Sequence, residues 1–326
     1  MSAVQPPGGH SVDILLGSFN GEAFLGAQLQ SIEAQSFSQW RLIARDDASS
    51  DGTVALLEDF RARHPGRVQL LRDDDGRLGA VANFGRLLQH SDAPYAAFCD
   101  QDDVWMADKL ALGLECMGAL EARHGSERPL LVFSDLEVVD RHLETVAASL
   151  WCRKQLRPER SRELGALLVD NVVTGCTTLM NHELVRQASP IPEGVLFHDW
   201  WVALVAAALG RSAWIERATV RYRQHGYNAA GAGALHLRRV PELLYRAAFD
   251  APAVRAKIRT QFEQMRVFAE RYRDQLDDGQ RRLIERLLTI PDSKLFGRAV
   301  TYARCRALPN SPLHALGLVV MSGDGR

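Results

Sequence analysis

Three carboxylates stand close together where an apolar stretch of the chain ends. Residues 95–99 are apolar, and Asp100, Asp102 and Asp103 follow them. Carboxylates this close repel one another unless a cation lies between them, and Mg²⁺ and Mn²⁺ prefer such hard oxygen ligands. A solvated acidic turn that caps the next helix, with Asp103 as N-cap, explains the same residues. The motif alone leaves a metal site and a cap as equal alternatives.

Alternating strands and helices position these carboxylates. Short apolar runs predict four strands, at residues 12–16, 40–44, 68–71 and 95–99, with amphipathic helices between them. Such alternation with short loops is typical of an α/β fold with a mostly parallel, doubly wound sheet. Asp46 and Asp47 end the second strand, so they should meet the carboxylates after the fourth at one sheet edge, where open α/β sheets bind ligands. This convergence favours a binding site over a cap.

The composition argues against several classes of protein. The chain has 326 residues, a formal net charge of −1 and five cysteines without C-x-x-C spacing. These features argue against a nucleic-acid partner, a disulfide framework and a zinc site. Residues 1–10 lack the apolar core of a signal peptide. The longest apolar run, residues 200–209, is about half of the ~20 residues that a membrane-spanning helix needs. We therefore expect a cytoplasmic protein.

Six short motifs follow one another along the chain. GSFNGE, RDDASSDGT and DQDD follow the first, second and fourth predicted strands, and NVVTGCTTLMN, FHDWW and YRQHGYN come later. In this order they resemble the inverting nucleotide-sugar glycosyltransferases of family 2, which have the GT-A fold, over roughly residues 11–230. Together they resemble the rhamnosyltransferase branch, which uses dTDP-L-rhamnose to build polysaccharides and O-antigens.

The resemblance implies that the loops after the first two strands hold the donor nucleotide. Ser18 and Phe19 match positions that lie against the base, and Asp47 matches the aspartate that binds the pyrimidine N–H. A carboxylate suits this task because it only accepts hydrogen bonds. The alternative is that Asp46 and Asp47 form an Asx-turn or a cap, and we expect one of the two to do so.

The resemblance also implies how the diphosphate of the donor is held. Asp102 matches the direct ligand of a Mg²⁺ or Mn²⁺ ion that bridges the diphosphate, and Asp100 matches a contact to the ribose or to a metal-bound water. Asp103 is then expected to cap a helix that starts near Met106. His225 matches a contact to the diphosphate or the metal, since imidazole is a normal partner of either. A satisfied structural histidine is the alternative.

The acceptor half of the site is expected between the motif at residues 171–181 and the helix that FHDWW begins. Asp199 lies in the first turn of this helix, where the dipole favours the ionised carboxylate that a general base needs. Gly175 would let a sugar approach closely, and Trp200 and Trp201 would form a stacking wall for the ring. The alternative is that Asp199 only caps the helix and that both tryptophans belong to the core.

After residue 234 the predicted structure changes from alternating strands and helices to helices alone. Residues 11–234 form the predicted GT-A domain, and residues 235–326 form a helical C-terminal extension with apolar residues at helical spacing. Residues 238–306 hold 16 Lys and Arg against 9 Asp and Glu. Such a basic surplus is by default a solvated face. It can also make peripheral contact with anionic lipid at the inner face of the membrane, where a polyprenyl-diphosphate-linked acceptor would reside.

The sequence thus predicts a metal-dependent enzyme that moves a sugar from a nucleotide-sugar donor to a glycan hydroxyl. The resemblance names L-rhamnose from dTDP-L-rhamnose as the sugar, and a polysaccharide, O-antigen or lipid-linked glycan as the acceptor. Two alternatives stay open. A nucleotidyltransferase would need a Gly-rich, cationic phosphate loop after the first strand, but GSFNGE contains no cation. A catalytically silent sugar-nucleotide binding module would bind the donor without turnover.

Overall fold

The computed structural model describes residues 11–225, 251–309 and 312–323. Its strands are β1 (Val12–Ser18), β2 (Trp40–Asp46), β3 (Val68–Leu71), β4 (Tyr95–Asp100), β5 (Val104–Trp105), β6 (Leu130–Val139), β7 (Thr145–Ala147), β8 (Leu179–Asn181) and β9 (Arg211–Arg223). Its helices are α1 (Glu22–Glu33), α2 (Thr53–Arg63), α3 (Ala80–Gln89), α4 (Lys109–His124), α5 (Leu150–Lys154), α6 (Leu164–Leu167), α7 (His182–Ala188), α8 (His198–Leu209), α9 (Ala251–Arg271), α10 (Asp278–Leu288), α11 (Leu295–Arg304) and α12 (Pro312–Met321).

The strands form one mixed sheet in the order β3-β2-β1-β4-β8-β6-β9-β5, and β7 pairs with β6. β3, β2, β1 and β4 are parallel, with helices between them in the chain, as the alternation of apolar runs predicts. β8 runs antiparallel to β4 and β6, and β5 runs antiparallel to β9. The α/β class is confirmed, and parallel pairing covers β1 to β4 and the pair of β6 with β9.

Both faces of the parallel strands are covered, which explains their continuous apolar sequences. On β1, Leu16 faces one apolar layer with Leu25 of α1 and Phe60 of α2. Leu15 faces the opposite layer, with Phe84 of α3. Because successive side chains of a strand alternate, β1 contributes to both layers.

Residues 172–180 are rich in β-branched side chains, but most of them do not form a strand. Gly175–Thr177 is a 3₁₀ helix, and the strand begins only at Leu179. The backbone N–H of Gly175 donates to the Asp199 carboxylate and not to a neighbouring strand. This bond ties the segment to the first turn of α8.

The C-terminal helices pack on the face of the sheet that α8 covers. Phe268 and Tyr272 of α9 contact the ring of Trp201, at centroid distances of 5.6 and 5.8 Å. The Tyr272 hydroxyl donates to the carbonyl of Gln187 at 2.8 Å. The extension is therefore helical where the structure describes it, and the predicted boundary at residue 234 lies outside the described residues. Within the described ranges, no helix is both long and apolar enough to cross a bilayer.

Candidate active site

The carboxyl ends of β1, β2 and β4 bring the first three motifs together. Gly17 of β1 pairs with Asp100 of β4, and the loops after the strands leave the sheet at one edge. Buried Ser18 donates from Oγ to Asp46 Oδ1 at 2.9 Å, which joins the first two loops. Asp46 also accepts the backbone N–H of Ser49 at 2.7 Å. Asp46 is therefore the carboxylate of the pair that shapes a turn, as expected for one of the two.

Phe19 is fixed by a residue that the sequence reasoning missed. Its N–H donates to Gln101 Oε1 at 2.7 Å, and Gln101 Nε2 donates back to the Phe19 carbonyl at 2.8 Å. The Arg77 guanidinium lies 3.9 Å from the centroid of the Phe19 ring. The sequence did contain a signal for this role, namely the position of Gln101 inside DQDD. Its amide can both donate and accept hydrogen bonds, whereas the neighbouring aspartates can only accept them.

Asp47 is buried and holds the loop before α3. Its Oδ1 accepts the N–H of Leu78 at 2.7 Å and Nη1 of Arg45 at 2.9 Å, and its Oδ2 accepts the N–H of Gly79 at 2.8 Å. A carboxylate oxygen has two lone pairs, so Oδ2 keeps one for a further donor. The contact to a pyrimidine N–H stays a prediction.

Arg45 at the end of β2 ties this loop to the rest of the site. Its guanidinium donates twice to Asp73, at 2.8 Å each, and once to Asn83 Oδ1 at 3.1 Å. The hydrogen bonds from Arg45 lower the pKa of Asp73 to about 2. The loop between β3 and α3 is thus anchored on a buried arginine, the first residue of RDDASSDGT, to which the sequence analysis gave no role.

The acidic motif forms a compact group with a cysteine. Asp100, Asp103 and Cys176 offer ligand atoms that all lie within 4.8 Å of one another. Burial, together with the charges of Asp102 and Asp199, raises the pKa of Asp100 to about 8. Burial and the neighbouring carboxylates also raise the pKa of Asp103 well above its usual range. Desolvated carboxylates in this arrangement are stabilised by protons or by a cation.

The surroundings of each carboxylate show which would bind a hard cation. Asp100 and Asp102 are half-buried, whereas Asp103 and Cys176 are fully buried. The Asp103 Oδ1 accepts the N–H of Arg223 at 3.1 Å. A thiol is a soft ligand that suits neither Mg²⁺ nor Mn²⁺. Asp100 and Asp102 therefore fit such an ion, while Asp103 links the motif to the end of β9.

The prediction that Asp103 caps a helix near Met106 was wrong. Residues 104–105 form β5, where Val104 pairs with Arg221 of β9, and α4 begins only at Lys109, after Asp108 at the N-cap position. Pairing with a strand more than a hundred residues later delays the helix. Helix caps are predicted from neighbouring residues in the sequence, and such a prediction does not take account of contact with a distant strand.

His225 contacts the acidic motif directly. Its Nε2 lies 2.7 Å from Asp102 Oδ2, and its ring stacks on Phe24 with 4.6 Å between the centroids. Arg223 donates from Nε to the carbonyl of Asp102 at 2.8 Å. The structure thus brings the start of the YRQHGYN motif, up to His225, onto the DQDD motif. The contacts of His225 to metal and diphosphate stay predictions.

Asp199 is a half-buried carboxylate in the first turn of α8. Its Oδ2 accepts the N–H of Gly175 at 2.9 Å, and its Oδ1 accepts Asn171 Nδ2 at 3.3 Å. Burial raises the pKa of Asp199 to about 6, against the opposing effect of the backbone hydrogen bonds. Phe197 occupies the N-cap position of α8, so Asp199 is not its cap. Asn171 is a second residue that sequence reasoning missed.

Gly175 lies where a larger residue would collide with the candidate base. A Cβ atom there would lie 3.1 Å from His198 Nε2 and 3.2 Å from Asp199 Cβ. His198 is buried against Phe84, with 3.9 Å between the ring centroids, and burial lowers its pKa to about 3. The imidazole is therefore neutral. In this structure the glycine is needed for contact with α8, whereas the sequence suggested room for a sugar.

The predicted stacking wall of Trp200 and Trp201 is wrong. Both indoles are buried, and Trp201 packs against aromatic rings of α9. Trp201 Nε1 donates to the carbonyl of Ala188 at 3.0 Å, and Trp200 Nε1 donates to the carbonyl of Leu167. The two tryptophans belong to the core because α8 is apolar on all sides and lies between the sheet and the C-terminal helices.

Known proteins resemble the chain in sequence. A sequence model of the family described as Glycosyl transferase family 2 matches residues 13–124. The dTDP-rhamnosyl transferase RfbG of Shigella flexneri is 26% identical over 230 residues, which cover 67% of this chain and 74% of that protein. The UDP-Glc:alpha-D-GlcNAc-diphosphoundecaprenol beta-1,3-glucosyltransferase WfgD of Escherichia coli is 31% identical over 106 residues, which cover 32% of this chain and 40% of that protein.

A solved structure shares the fold over most of the chain. The mannosyltransferase PcManGT from Pyrobaculum calidifontis, in complex with GDP-Man and Mn²⁺, superposes with a TM-score of 0.54 at 14% identity. The alignment covers 96% of this chain and 85% of the other. The segment that matches the family contains β1 to β4, Asp47 and the DQDD motif. Residues 13–124 therefore match glycosyltransferase family 2, and the chain has the GT-A fold.

Proposed function

We propose that this glycosyltransferase moves L-rhamnose from dTDP-L-rhamnose, with inversion, onto a hydroxyl of a polysaccharide, O-antigen or lipid-linked glycan. The observation that carries the proposal is the position of Asp199, a fixed carboxylate close enough to Asp100 for the two charges to interact. Transfer from a nucleotide sugar needs a base beside a group that holds the diphosphate. The choice of rhamnose rests on the motifs and on the 26% identity to the dTDP-rhamnosyl transferase RfbG.

Asp199 is the proposed general base. Hydrogen bonds from Gly175 and Asn171 fix the carboxylate, and its pKa of about 6 brings it close to neutral pH, where a base works best. In the proposed step, an oxygen of Asp199 takes the proton of the acceptor hydroxyl. The hydroxyl oxygen attacks the anomeric carbon from the face opposite the diphosphate. The bond from that carbon to the diphosphate breaks, and the configuration inverts.

We assign Mg²⁺ or Mn²⁺ to Asp100 and Asp102. The half-buried position of both carboxylates and the raised pKa of Asp100 support this assignment, as does the Mn²⁺ in the complex of PcManGT. When bound, such an ion neutralises negative charge on the leaving diphosphate. His225, beside Asp102, would orient that carboxylate or contact the diphosphate itself.

Phe19 and Asp47 are proposed to hold the nucleotide, and Ser18 is proposed to support their loops. The backbone of Phe19 is fixed by Gln101, which supports the proposal that its ring stacks on a pyrimidine. Asp47 keeps one lone pair on Oδ2 for the pyrimidine N–H. Ser18 is buried against Asp46 and would support the loop and not contact the base itself.

The C-terminal helices are proposed to meet a membrane that carries a lipid-linked acceptor. Phe296 and Leu295, at the start of α11, are 82% and 55% exposed, and Leu316 of α12 is 62% exposed. Lys294 and Arg298 flank the first two. Exposed apolar side chains beside basic ones are typical of surfaces that bind anionic lipid. The diphosphoundecaprenol-linked acceptor in the name of WfgD is consistent with this proposal.

A panel of nucleotide sugars tests the proposed donor. The purified protein is incubated with each donor, Mg²⁺ and a glycan acceptor, and release of the nucleotide is measured. We expect dTDP-L-rhamnose to be consumed fastest, with an inverted anomeric configuration of the product by NMR. Faster consumption of another donor would contradict rhamnose as the sugar. Donor binding without transfer to any acceptor would favour the silent binding module.

A further inference from the structure

A cysteine thiol lies beside two carboxylates of the acidic motif. Ligand atoms of Asp100, Asp103 and Cys176 all lie within 4.8 Å of one another. The three residues come from different segments. Asp100 ends β4, Asp103 precedes β5, and Cys176 is the middle residue of the 3₁₀ turn Gly175–Thr177. The proposed sugar transfer assigns Mg²⁺ or Mn²⁺ to Asp100 and Asp102, so it gives the thiol no role.

Asp103 has an oxygen that no neighbour satisfies. Its Oδ1 accepts the N–H of Arg223 at 3.1 Å, whereas its Oδ2 is buried and has no hydrogen-bond partner among the residues that the structure describes. The side chain as a whole is shielded from water. A buried carboxylate oxygen without a partner is unfavourable, and coordination to a metal ion removes this penalty. The unsatisfied oxygen therefore points to a cation.

The turn that carries Cys176 is held in place by hydrogen bonds. Thr177 donates from Oγ1 to the carbonyl of Thr174, and Thr178 donates from Oγ1 to the carbonyl of Gly175, at 2.7 Å each. The thiol is therefore presented to the two carboxylates by a fixed backbone. No large movement of the chain is needed to bring a ligand set together.

The combination of one sulfur and two oxygen atoms selects the kind of metal. Thiolate is a soft ligand that suits Zn²⁺ and not Mg²⁺ or Mn²⁺. A tetrahedral Zn²⁺ ion places its ligand atoms about 3.4–3.6 Å apart, so these three would close around it by moving about 1 Å. Three protein ligands leave the fourth position for water. Asp100 is half-buried and the other two ligands are fully buried, so the ion would enter past Asp100.

The charges around the thiol also favour a divalent cation. Burial and the charges of Asp103 and Asp100 raise the pKa of the Cys176 thiol. Lys109 is a buried cation close enough to interact with Cys176 and Asp103. A single ammonium does not balance three ionised groups. A divalent ion would supply the missing charge, and the thiol proton would pass to solvent as the bond between metal and sulfur forms.

We propose that Asp100, Asp103 and Cys176 bind Zn²⁺, in a site distinct from that of Mg²⁺ or Mn²⁺. Asp100 belongs to both sets of ligands, and two divalent ions this close repel each other. Zn²⁺ would therefore displace the cation that holds the donor diphosphate and would inhibit sugar transfer. The inhibition rests on the proposed function and on the assignment of Asp100 and Asp102, whereas the binding of Zn²⁺ does not.

A titration with Co²⁺ tests the site without any sugar transfer. The reduced protein is titrated with Co²⁺, and the charge-transfer absorption from thiolate to cobalt is followed in the near ultraviolet. We expect this band in the wild type, its displacement by Zn²⁺, and its absence in Cys176→Ser, which keeps the size of the side chain. Cys152→Ser, at an exposed cysteine, is the control and should keep the band.

Three results of this titration would overturn the inference. They are the absence of a band in the wild type, its persistence in Cys176→Ser, and its loss in Cys99→Ser with retention in Cys176→Ser. Cys99 is the stringent comparison, because it is also buried and lies beside Asp100, but its Sγ already accepts Gln28 Nε2 at 2.7 Å.

Calorimetry with Zn²⁺ measures the worth of each ligand. Loss of a hydrogen bond to a metal ligand costs about 10–100-fold in affinity, so Cys176→Ser, which removes a ligand, should raise Kd for Zn²⁺ by at least about 100-fold. Asp103→Asn keeps the shape of the side chain and removes its charge, and it should also weaken Zn²⁺ binding. Circular dichroism confirms that each variant is folded. If Cys176→Ser does not fold, an unchanged Kd in Asp103→Asn would overturn the inference.

The rate of transfer tests the inhibition. At a fixed Mg²⁺ concentration, Zn²⁺ should slow the wild type, and additional Mg²⁺ should restore the rate. Cys176→Ser, compared with its own rate without Zn²⁺, should resist the same Zn²⁺ concentration. Zn²⁺ that binds the wild type without slowing transfer would overturn the shared use of Asp100. If the protein transfers no sugar under any condition, the proposed function fails while the titration with Co²⁺ still decides the zinc site.

Discussion

The Asp199 carboxylate accepts the backbone N–H of Gly175 at 2.9 Å, which joins the NVVTGCTTLMN and FHDWW motifs. This donor belongs to the backbone, so it cannot rotate away as the side-chain donor Asn171 can. The tight fit of Gly175 against Asp199 and His198 lets the two segments approach this closely. The position of the candidate base therefore depends on a residue that has no side chain.

Asp199→Asn tests the base. The amide keeps the shape of the side chain but cannot take a proton, so we expect the transfer rate to fall by about 10²–10⁴. Donor affinity should stay nearly unchanged, since the proposed nucleotide contacts lie in other loops. Rate and donor binding are measured separately. Asp278→Asn, in the exposed first turn of α10, is the control and should be neutral. Transfer at near wild-type speed in Asp199→Asn would place the base elsewhere.

The pH dependence of the reaction should show the pKa of Asp199. A base works only when ionised, and burial raises the pKa of this carboxylate from its ordinary value to about 6. We therefore expect kcat/KM to fall about tenfold per unit as the pH drops below this value, and to level off above it. The residual activity of Asp199→Asn should lack this limb. An acid limb that persists in the variant would belong to another group.

The same shift has a definite sign for stability. Because the folded pKa of Asp199 lies above the ordinary value of 3.8, its contribution to stability is fully present below about pH 4 and is lost as the pH rises through about 6. The raised pKa of Asp100, about 8, acts in the same direction up to higher pH. Ionisation of both groups costs folding free energy in the absence of a cation.

Gly175→Ala should impair catalysis more than folding. The added Cβ would lie 3.2 Å from Asp199 Cβ, so α8 or its carboxylate must shift by a few tenths of an ångström. A misplaced base can cost about 10²-fold in rate. Gly118→Ala, on α4 with no atom within 4 Å of the new Cβ, is the control and should keep full activity. Unchanged kcat in a folded Gly175→Ala protein would show that the position of Asp199 tolerates the shift.

A chelator should abolish transfer, and Mg²⁺ or Mn²⁺ should restore it. Asp102→Ala should weaken donor binding along with turnover, because the proposed cation links this carboxylate to the diphosphate. Asp108→Ala, on the same segment but paired with Arg217 at the surface, should bind the donor normally. Titrations of the donor into each protein, with and without Mg²⁺, give the donor affinity in the presence and in the absence of the cation. Full activity in chelator would contradict the assignment of Asp100 and Asp102 to a metal.

Phe296→Ser should weaken binding to anionic vesicles. The side chain is 82% exposed and contributes apolar area that a bilayer would remove from water. Val146→Ser, at a 51% exposed valine on β7, is the control. Co-sedimentation with phosphatidylglycerol and with phosphatidylcholine vesicles separates the charge effect from the apolar one. Equal sedimentation of the Phe296 variant and the wild type would leave the C-terminal helices without a membrane role.

Local sequence patterns were sufficient to predict the first half of the sheet, from β1 to β4. The parallel order of β1 to β4 follows from alternating strands and helices, so the meeting of Asp46, Asp47 and Asp100 at one edge was predictable. The burial of Trp201 was predictable too, because ten apolar residues in succession indicate a helix that is covered on all sides. The sequence interpretation gave more weight to the carboxylate beside it.

Contacts between distant segments could not be predicted from the sequence. Gln101 bonds to Phe19 across 82 positions, and Asn171 bonds to Asp199 across 28. β5 exists because β9 lies beside it, and this moved the start of α4 from the expected Met106 to Lys109. Each of these features depends on the packed fold, and propensity or periodicity in one segment does not encode it.

The contact of Trp201 with Phe268 and Tyr272 makes the C-terminal helices inseparable from the enzyme. One apolar layer runs from Leu15 in the first strand to Tyr302 in α11. A truncated chain that ends before α9 would expose the outer face of α8 to water and would aggregate or unfold. C-terminal helices taken from a relative would likewise need an α8 that matches them. We therefore expect exchanges between relatives to keep α8 together with the helices that pack on it.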